Sequence, residues 1–304
     1  MRLPNFFLIG APKAGTTALH SCLTQHPDVF MSRVKEPLYF AFPEEPPVLP
    51  GPGGTYWRRA AIWRPRDYAR LFAGVRGESA VGEASPLYIR SSVAAHRIRR
   101  NIPGSRVVAL LRQPAERAYS SYMFMRQHGI EPEPTFARAL EDEERRLGAG
   151  WFSGLFHRTN GLYHAQLSTW YDLFPREQIR VYFHEEWRET PGEVLRDLFR
   201  FLQVDERFEP SNPVRNPTLL PRSRRLHALA TGPDLARGLG TALPRPALKA
   251  LQGALGRLDS RFNLVPPPPL DPDFRAALTA YYRDDILKLQ DLVDRDLSHW
   301  LEAA

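Results

Sequence analysis

The stretch Phe6-Phe7-Leu8-Ile9-Gly10-Ala11-Pro12-Lys13-Ala14-Gly15-Thr16-Thr17 has the order of a strand, a phosphate-binding loop and a helix. Free backbone N–H groups at a helix N-terminus, together with the helix dipole, favour a bound anion. The two glycines let the loop turn tightly and come close to a ligand. The stretch therefore predicts a cradle for a 5′-phosphate, although an ordinary strand-to-helix turn of a parallel sheet has the same pattern.

The loop departs from the triphosphate-binding pattern G-x-x-x-x-G-K-[ST]. Gly10 and Gly15 keep the spacing, but Thr16 stands where the pattern has its lysine, and Lys13 lies inside the loop. Because an ATPase would lose its γ-phosphate contact through this change, we expect another phosphate ligand. A P-loop small-molecule kinase or NTPase is the enzymatic alternative, and a basic protein that binds nucleic acid or a membrane surface is the non-enzymatic one.

The composition indicates a globular protein of 304 residues, with 43% hydrophobic and 25% charged residues. We expect no membrane span, since no apolar run approaches the roughly 20 residues required. Because the first strand is expected to begin near residue 5, we expect no signal peptide. Cys22 is the only cysteine, which excludes an intramolecular disulfide and a cysteine-based zinc site. A cytoplasmic location is therefore predicted. The net charge of +7 favours an anionic partner. Most of the basic residues are arginines, and GC-rich coding would explain that preference equally well.

Apolar runs alternate with helical patterns along most of the chain. This alternation predicts an α/β fold of the P-loop-like kind, with a mostly parallel sheet covered by helices on both faces and a helical C-terminal extension. The prolines and glycines of residues 43–54 predict a loop. Strands are expected at 6–9, 29–31, 80–83, 106–111 and 179–183, and helices at 18–23, 66–73, 91–100, 114–127, 135–147, 161–173, 191–203 and 273–292.

Two cationic side chains follow predicted strands, where ligands of such sheets bind. Lys13 follows the first strand and Arg112 follows the strand at 106–111. Ser120 lies in the next helix and is expected to turn towards the same phosphate as Arg112. A structural ion pair is an equal alternative for Arg112. One nucleotide with phosphates on its 5′ and 3′ sides would fill both anion sites.

Two of these stretches resemble the nucleotide motifs of sulfotransferases that use 3′-phosphoadenosine 5′-phosphosulfate (PAPS). Residues 10–17 are similar to the 5′-phosphosulfate loop of that family. The stretch Leu111-Arg112-Gln113-Pro114-Ala115-Glu116-Arg117-Ala118-Tyr119-Ser120-Ser121-Tyr122 resembles its 3′-phosphate motif. Both motifs together are specific, so the resemblance implies a PAPS-dependent sulfotransferase.

Further blocks resemble the heparan-sulfate-type branch of the family, to which bacterial sulfotransferase domains also belong. They are Lys35-Glu36-Pro37-Leu38-Tyr39-Phe40 and Gly82-Glu83-Ala84-Ser85-Pro86-Leu87-Tyr88. Residues 161–175 resemble a further block of the sulfotransferase family, and residues 295–300 resemble its C-terminal end. The resemblance covers most of 5–220 and 271–302. It implies one sulfotransferase domain over 1–304, with a helical insertion at about 225–265.

The resemblance implies a role for each matching residue. Lys13 would contact the bridging oxygen and the sulfonate, and Glu36 matches the glutamate proposed as general base in the heparan-sulfate branch. Glu83 is the alternative base or a structural carboxylate, and a surface pair with Lys35 is the alternative for Glu36. The residues expected to bind the donor are Lys13, Ala14, Gly15, Thr16, Thr17, Arg112 and Ser120.

The implied partners are the nucleotide donor and an acceptor, with a saccharide or a lipid favoured over a small aromatic alcohol. No metal and no specific nucleic acid are expected, while peripheral membrane contact stays open. The chain also departs from vertebrate glycan-modifying members, which have a lysine where Ala84 stands and a disulfide-closed cofactor loop. The arginines of residues 222–225 either replace that loop or belong to a solvated basic helix start.

Overall fold

The centre of the protein is a five-stranded, wholly parallel sheet with the strand order β2-β3-β1-β4-β5. The computed structural model describes residues 3–211, 219–223, 253–257 and 263–302. The strands are β1 (Phe6–Gly10), β2 (Val29–Met31), β3 (Ala80–Ala84), β4 (Arg106–Leu111) and β5 (Ile179–Phe183). All five lie where the alternation of apolar runs predicts them, so the predicted fold class is confirmed.

Helices connect and flank these strands. The helices are α1 (Thr16–Gln25), α2 (Gly54–Ala60), α3 (Pro65–Arg70), α4 (Ser92–Asn101), α5 (Pro114–Gln127), α6 (Phe136–Glu141), α7 (Glu143–Gly148), α8 (Tyr163–Leu173), α9 (His184–Glu189), α10 (Pro191–Leu202) and α11 (Pro272–Val293). All five residues of β1 are buried. Because successive side chains of a strand point to opposite faces, both faces of the sheet are covered.

Local sequence signals fix several helix starts. The Ser91 side chain accepts a hydrogen bond from the Ala94 N–H, and the Thr135 side chain accepts one from the Arg138 N–H. Asp271 caps α11 by accepting from the N–H groups of the first turn, next to a proline at the first helical position. Such caps satisfy donors that have no partner within the helix.

The structure corrects two predicted elements. The single helix expected at 135–147 is two short helices, α6 and α7, which meet at Asp142. The Asp142 carboxylate there binds Arg145 and Arg146, and this pairing near the start of α7 suits a helix N-terminus. The loop expected at 43–54 leads into helix α2 at its last residue. The sequence of α2 has no apolar periodicity from which a helix could be predicted.

The chain forms two compact units. The first comprises Met1–Tyr122, Glu133–Asn216 and Leu270–Ala304 and contains the five-stranded sheet. The second comprises Met123–Pro132 and Pro217–Pro269, and its strands β6 (Leu220–Pro221) and β7 (Leu264–Val265) pair antiparallel. Most of the predicted insertion at 225–265 lies outside the described residues. Within the described ranges, no helix is both long and apolar enough to cross a bilayer.

Candidate active site

The loop between β1 and α1 has an unusual backbone. Lys13 has a φ of 71° and Gly15 a φ of 107°, both in the left-handed region. Glycine adopts this conformation readily, but a residue with a Cβ pays about 1–3 kcal/mol for it. A Cβ on Gly15 would also lie 3.3 Å from Cδ1 of Trp187. Position 15 therefore needs glycine for its conformation as well as for close packing.

The loop leads directly into the first turn of α1. Thr16 is buried and Thr17 is exposed, and no side chain caps this helix among the described residues. The first N–H groups of a helix have no partner within it, so those of Thr16 and Thr17 face outward from α1. An uncapped helix start at the carboxyl edge of a parallel sheet is a suitable place for a phosphate.

The Lys13 side chain lies among other charged groups. Burial and, to a smaller extent, the charges of Arg112 and Lys35 lower the pKa of its ammonium group to about 8, and the Glu36 carboxylate opposes this shift. Lys13 and the groups whose charges influence it follow three different strands. Lys13 follows β1, Arg112 follows β4, and the pair Lys35 and Glu36 follows β2.

Glu36 lies on a loop with a constrained backbone. Its φ is 62°, and its N–H donates to the Ala84 carbonyl oxygen at 2.8 Å. One carboxylate oxygen pairs with the Lys35 ammonium at 2.8 Å, and the Glu36 side chain is 29% exposed. The surface pair anticipated as an alternative is therefore present. It leaves Glu36 accessible to solvent at the edge where Lys13 lies.

Arg112 also takes part in ion pairs. Its Nη2 lies 3.2 Å from Oε2 of Glu116, whose other oxygen lies 3.6 Å from Nε of Arg275. The Arg112 carbonyl accepts from the Tyr163 hydroxyl at 2.9 Å. Ser120 lies in α5 and is half-buried. The guanidinium group of Arg112 is partly exposed, so the Glu116 pair does not bury it.

The model of the sulfotransferase domain matches residues 3–216, more than two thirds of the chain. The chain belongs to the sulfotransferase family. A solved sulfotransferase from Alicyclobacillus acidocaldarius is 31% identical to it and superposes with a TM-score of 0.78. That match covers 99% of this chain and 100% of the other.

Two curated relatives extend this sulfotransferase comparison. The bifunctional heparan sulfate N-deacetylase/N-sulfotransferase 3 of Mus musculus is 27% identical, over 99% of this chain and 31% of the relative. The membrane-associated sulfotransferase kil1 of Dictyostelium discoideum is 23% identical, over 70% of this chain and 60% of the relative. The chain thus spans less than a third of the mouse relative's length. The predicted family is confirmed, and the individual site residues stay predictions.

The sulfotransferase site contains a histidine that no motif indicated. His184 follows β5 at the same sheet edge, and its Nδ1–H donates to the Ala14 carbonyl at 2.8 Å. Burial lowers the pKa of His184, and the hydrogen bond to Ala14 opposes this shift. The neutral ring thus supports the phosphate loop from the side of β5. Its position just after a strand is the one sequence signal that would have indicated it.

The alternative base, Glu83, lies inside the sulfotransferase fold. Its side chain is 0% exposed within β3, and its carboxylate accepts hydrogen bonds from the hydroxyls of Tyr68 and Ser85. Burial raises the pKa of Glu83, and the hydrogen bonds from Tyr68, Ser85 and Tyr88 oppose this. Both carboxylate oxygens accept hydrogen bonds from the protein, so an acceptor substrate cannot reach the Glu83 carboxylate without rearrangement of the core.

The residues of the loop fit the donor that the motifs imply. The outward amides of Thr16 and Thr17 and the Lys13 ammonium would hold a 5′-phosphosulfate, while the Arg112 guanidinium would hold a 3′-phosphate. Among the described residues, no group of three or more histidine, cysteine or carboxylate side chains is arranged to hold a metal ion. Arg222 is exposed, whereas Arg224 and Arg225 lie outside the described residues.

Proposed function

We propose that this sulfotransferase moves a sulfuryl group from PAPS to a hydroxyl or amine of an acceptor. The observation that carries the proposal is that Lys13, Arg112 and Glu36 follow strands of one parallel sheet at its carboxyl edge, where the charges of Arg112 and Glu36 influence Lys13. One nucleotide and one acceptor could then meet three groups at this edge. Glu36 would act as the base, Lys13 would stabilise the leaving group, and Arg112 would bind the second phosphate.

Each proposed role follows from the charge that changes during transfer. Glu36 takes the proton from the acceptor hydroxyl or amine while the acceptor oxygen or nitrogen forms a new bond to the sulfur of PAPS. The bond between sulfur and the bridging oxygen breaks, and that oxygen leaves with the electron pair. Lys13 stabilises the negative charge on the oxygen, aided by the amides of Thr16 and Thr17. Arg112 and Ser120 hold the 3′-phosphate and thereby orient the donor.

The proposed acceptor is a saccharide. The names of the heparan sulfate relatives support this class, although they describe proteins much longer than this chain. A lipid acceptor is the second candidate. Membership in the sulfotransferase family does not favour a kinase, an NTPase or a non-enzymatic basic binding protein. The cytoplasmic location and the absence of a required metal stay predictions.

The test is transfer of labelled sulfuryl from PAPS to three acceptor classes: a de-N-sulfated heparan saccharide, a hydroxylated lipid and a phenol. We expect label on the saccharide with the unaltered protein. Glu36→Gln should lower turnover about 10²–10⁴-fold, because glutamine keeps the size of glutamate but cannot accept the proton. It should bind adenosine 3′,5′-bisphosphate as the unaltered protein does.

Glu44→Gln is the matched control, since Glu44 is an exposed carboxylate eight positions further along the chain. Its turnover should match that of the unaltered protein. More than about a tenth of the turnover left in Glu36→Gln would remove Glu36 from the role of base. Label on none of the acceptor classes would contradict the proposed reaction with these acceptors.

A further inference from the structure

The loop that bears Glu36 is held by three hydrogen bonds to the segment that ends β3. The N–H groups of Glu36 and Leu38 donate to the Ala84 carbonyl at 2.8 Å and to the Ser85 hydroxyl at 3.3 Å. The Phe40 N–H donates to the Tyr88 hydroxyl at 3.0 Å. Alternate residues of the loop are thus fixed to one short piece of chain.

The loop needs such support because its backbone is strained. Glu36 and Leu38 have φ values of 62° and 58°, in the left-handed region that residues with a Cβ rarely adopt. Pro37 between them has no N–H to contribute. Strained backbone persists where the surrounding structure over-determines it. Tyr39 adds a further contact, because its ring stacks on Tyr68 with centroids 4.1 Å apart.

The hydroxyls that accept from the loop both lie near Glu83. Ser85 donates to the Glu83 carboxylate at 2.7 Å. The Tyr88 hydroxyl interacts with both the Glu83 carboxylate and the Ser85 hydroxyl. A hydroxyl has one proton, so a hydroxyl that donates to Glu83 presents lone pairs elsewhere. Those lone pairs meet the N–H groups of Leu38 and Phe40. The buried carboxylate therefore sets the direction of the Ser85 hydrogen bond, and it would set that of Tyr88 in the same way if the Tyr88 proton is directed at it.

We propose that Glu83 is a positioning residue, which orients the Ser85 and Tyr88 hydroxyls so that they hold the Glu36 loop in its catalytic conformation. This inference rests on the proposed role of Glu36 as the base. It assigns Glu83 a function through the loop, since the carboxylate is fully buried and each of its oxygens has a donor.

Two substitutions, each of which removes one hydroxyl group, test the hydrogen bonds to Leu38 and Phe40 separately. Ser85→Ala should speed hydrogen exchange at the Leu38 amide, and Tyr88→Phe should speed it at the Phe40 amide. Both are measured by NMR with adenosine 3′,5′-bisphosphate bound. Ser85→Thr keeps the hydroxyl and should restore protection. Tyr282→Phe is the control, because it removes a buried hydroxyl that donates to the Arg158 carbonyl, outside this loop.

The same variants separate positioning from general destabilisation in the transfer assay. We expect Ser85→Ala and Tyr88→Phe to lower kcat about 10- to 100-fold, as a small misplacement of a reacting group does. The donor KM and the bisphosphate Kd should change less than about twofold, because Lys13 and Arg112 are untouched. Tyr282→Phe should leave kcat unchanged. An unchanged kcat in Ser85→Ala and Tyr88→Phe would overturn the inference.

Neutron diffraction of the unaltered, deuterated protein tests the part played by Glu83 without a substitution. The deuterons of Ser85 and Tyr88 should point at the Glu83 carboxylate, and either deuteron pointing elsewhere, such as that of Tyr88 at the Ser85 hydroxyl, would overturn the inference. These exchange and diffraction results do not depend on sulfuryl transfer. If the unaltered protein transfers no sulfuryl group, the proposed function fails while the hydrogen-bond arrangement is still decided.

Discussion

The Lys13 ammonium group is buried in the loop that would hold a phosphosulfate, beside the cations of Lys35 and Arg112. Burial and these two charges lower its pKa to about 8. A bound phosphate or sulfonate would supply the missing counter-charge and raise the pKa again. Lys13 therefore favours binding of an anion. Above about pH 8, binding of an anionic nucleotide should be accompanied by proton uptake at Lys13.

Adenosine 3′,5′-bisphosphate should accordingly bind more weakly as the pH rises. Below a pH of about 8, Lys13 is already protonated and binding takes up no proton. Above it, Lys13 must gain a proton on binding, so the affinity should fall by up to about tenfold per pH unit. Calorimetry between about pH 7 and pH 9.5 in buffers of different ionisation enthalpy measures both the affinity and the proton uptake.

Lys13→Arg is the control for this linkage, because a guanidinium stays charged throughout the range. Its affinity should vary little with pH, and binding should take up no proton. A flat profile for the unaltered protein would contradict the lowered pKa of Lys13.

Arg112 should distinguish nucleotides by their 3′-phosphate. Arg112→Ala should weaken adenosine 3′,5′-bisphosphate about 10- to 100-fold, since a hydrogen bond to a charged group contributes about 1.5–3 kcal/mol. ADP has no 3′-phosphate, so its affinity for the Arg112→Ala variant should be almost the same as for the unaltered protein. Arg66→Ala removes an exposed arginine of α3 and controls for net charge. Equal losses for the bisphosphate and ADP would assign Arg112 a structural role through Glu116.

Some of these residues could be predicted from the sequence because each follows a strand of a recognisable apolar run. Lys13, Glu36 and Arg112 are in this group, and the structure places them at the same sheet edge, where the charges of Arg112 and Glu36 influence the pKa of Lys13. His184 also follows a strand but has no motif around it. The support that Glu83 gives to the Glu36 loop depends on hydroxyl directions across two segments, and residue spacing carries no such information.

At the scale of elements, the C-terminal end of the chain anchors the start of α5. The Gln113 side chain accepts from the Glu116 N–H in the first turn, and its amide donates to the Trp300 carbonyl at 3.3 Å. The Trp300 ring is buried against Phe183 and Tyr163. The last residues of the chain thereby fix the backbone next to Arg112.

Trp300→Ala should therefore affect both stability and nucleotide binding. Loss of a buried tryptophan costs about 3–5 kcal/mol of the free energy of unfolding. Without the ring that packs on Phe183 and Tyr163, the Trp300 backbone that accepts from Gln113 should also shift, which should loosen Arg112 and weaken binding of the bisphosphate more than binding of ADP. Urea unfolding and calorimetry measure the two effects.

Trp300→Phe is the milder comparison for this position. Within the described structure the Trp300 Nε1 has no hydrogen-bond partner, so phenylalanine loses packing but no hydrogen bond. Its destabilisation should be clearly smaller than that of alanine. An equal loss of stability in both variants would contradict this account of the site.

The strands and most long helices could be predicted because a parallel sheet buried on both faces leaves continuous apolar runs. The break between α6 and α7 could not, since the charged residues around Asp142 all favour helix individually. Asp142, which lies between the two helices, pairs with Arg145 and Arg146 of the second one. Helix α2 was missed because the preceding prolines and glycines dominate that stretch.

At the scale of the whole molecule, residues from the ends of three strands meet at one edge of the sheet. That arrangement, in a chain of net charge +7, fits a nucleotide that carries phosphate on both sides of its ribose. The central claim is that this edge recognises the 3′-phosphate of PAPS as well as its 5′ side. A kinase or an NTPase has no use for the first of these contacts.

The most direct measurement is calorimetric titration of the unaltered protein with adenosine 3′,5′-bisphosphate, ADP and ATP under one set of conditions near pH 7. The account predicts that the bisphosphate binds at least about tenfold more tightly than either, because only it engages Arg112 and Ser120. Affinity for ADP or ATP equal to or greater than that for the bisphosphate would contradict the account.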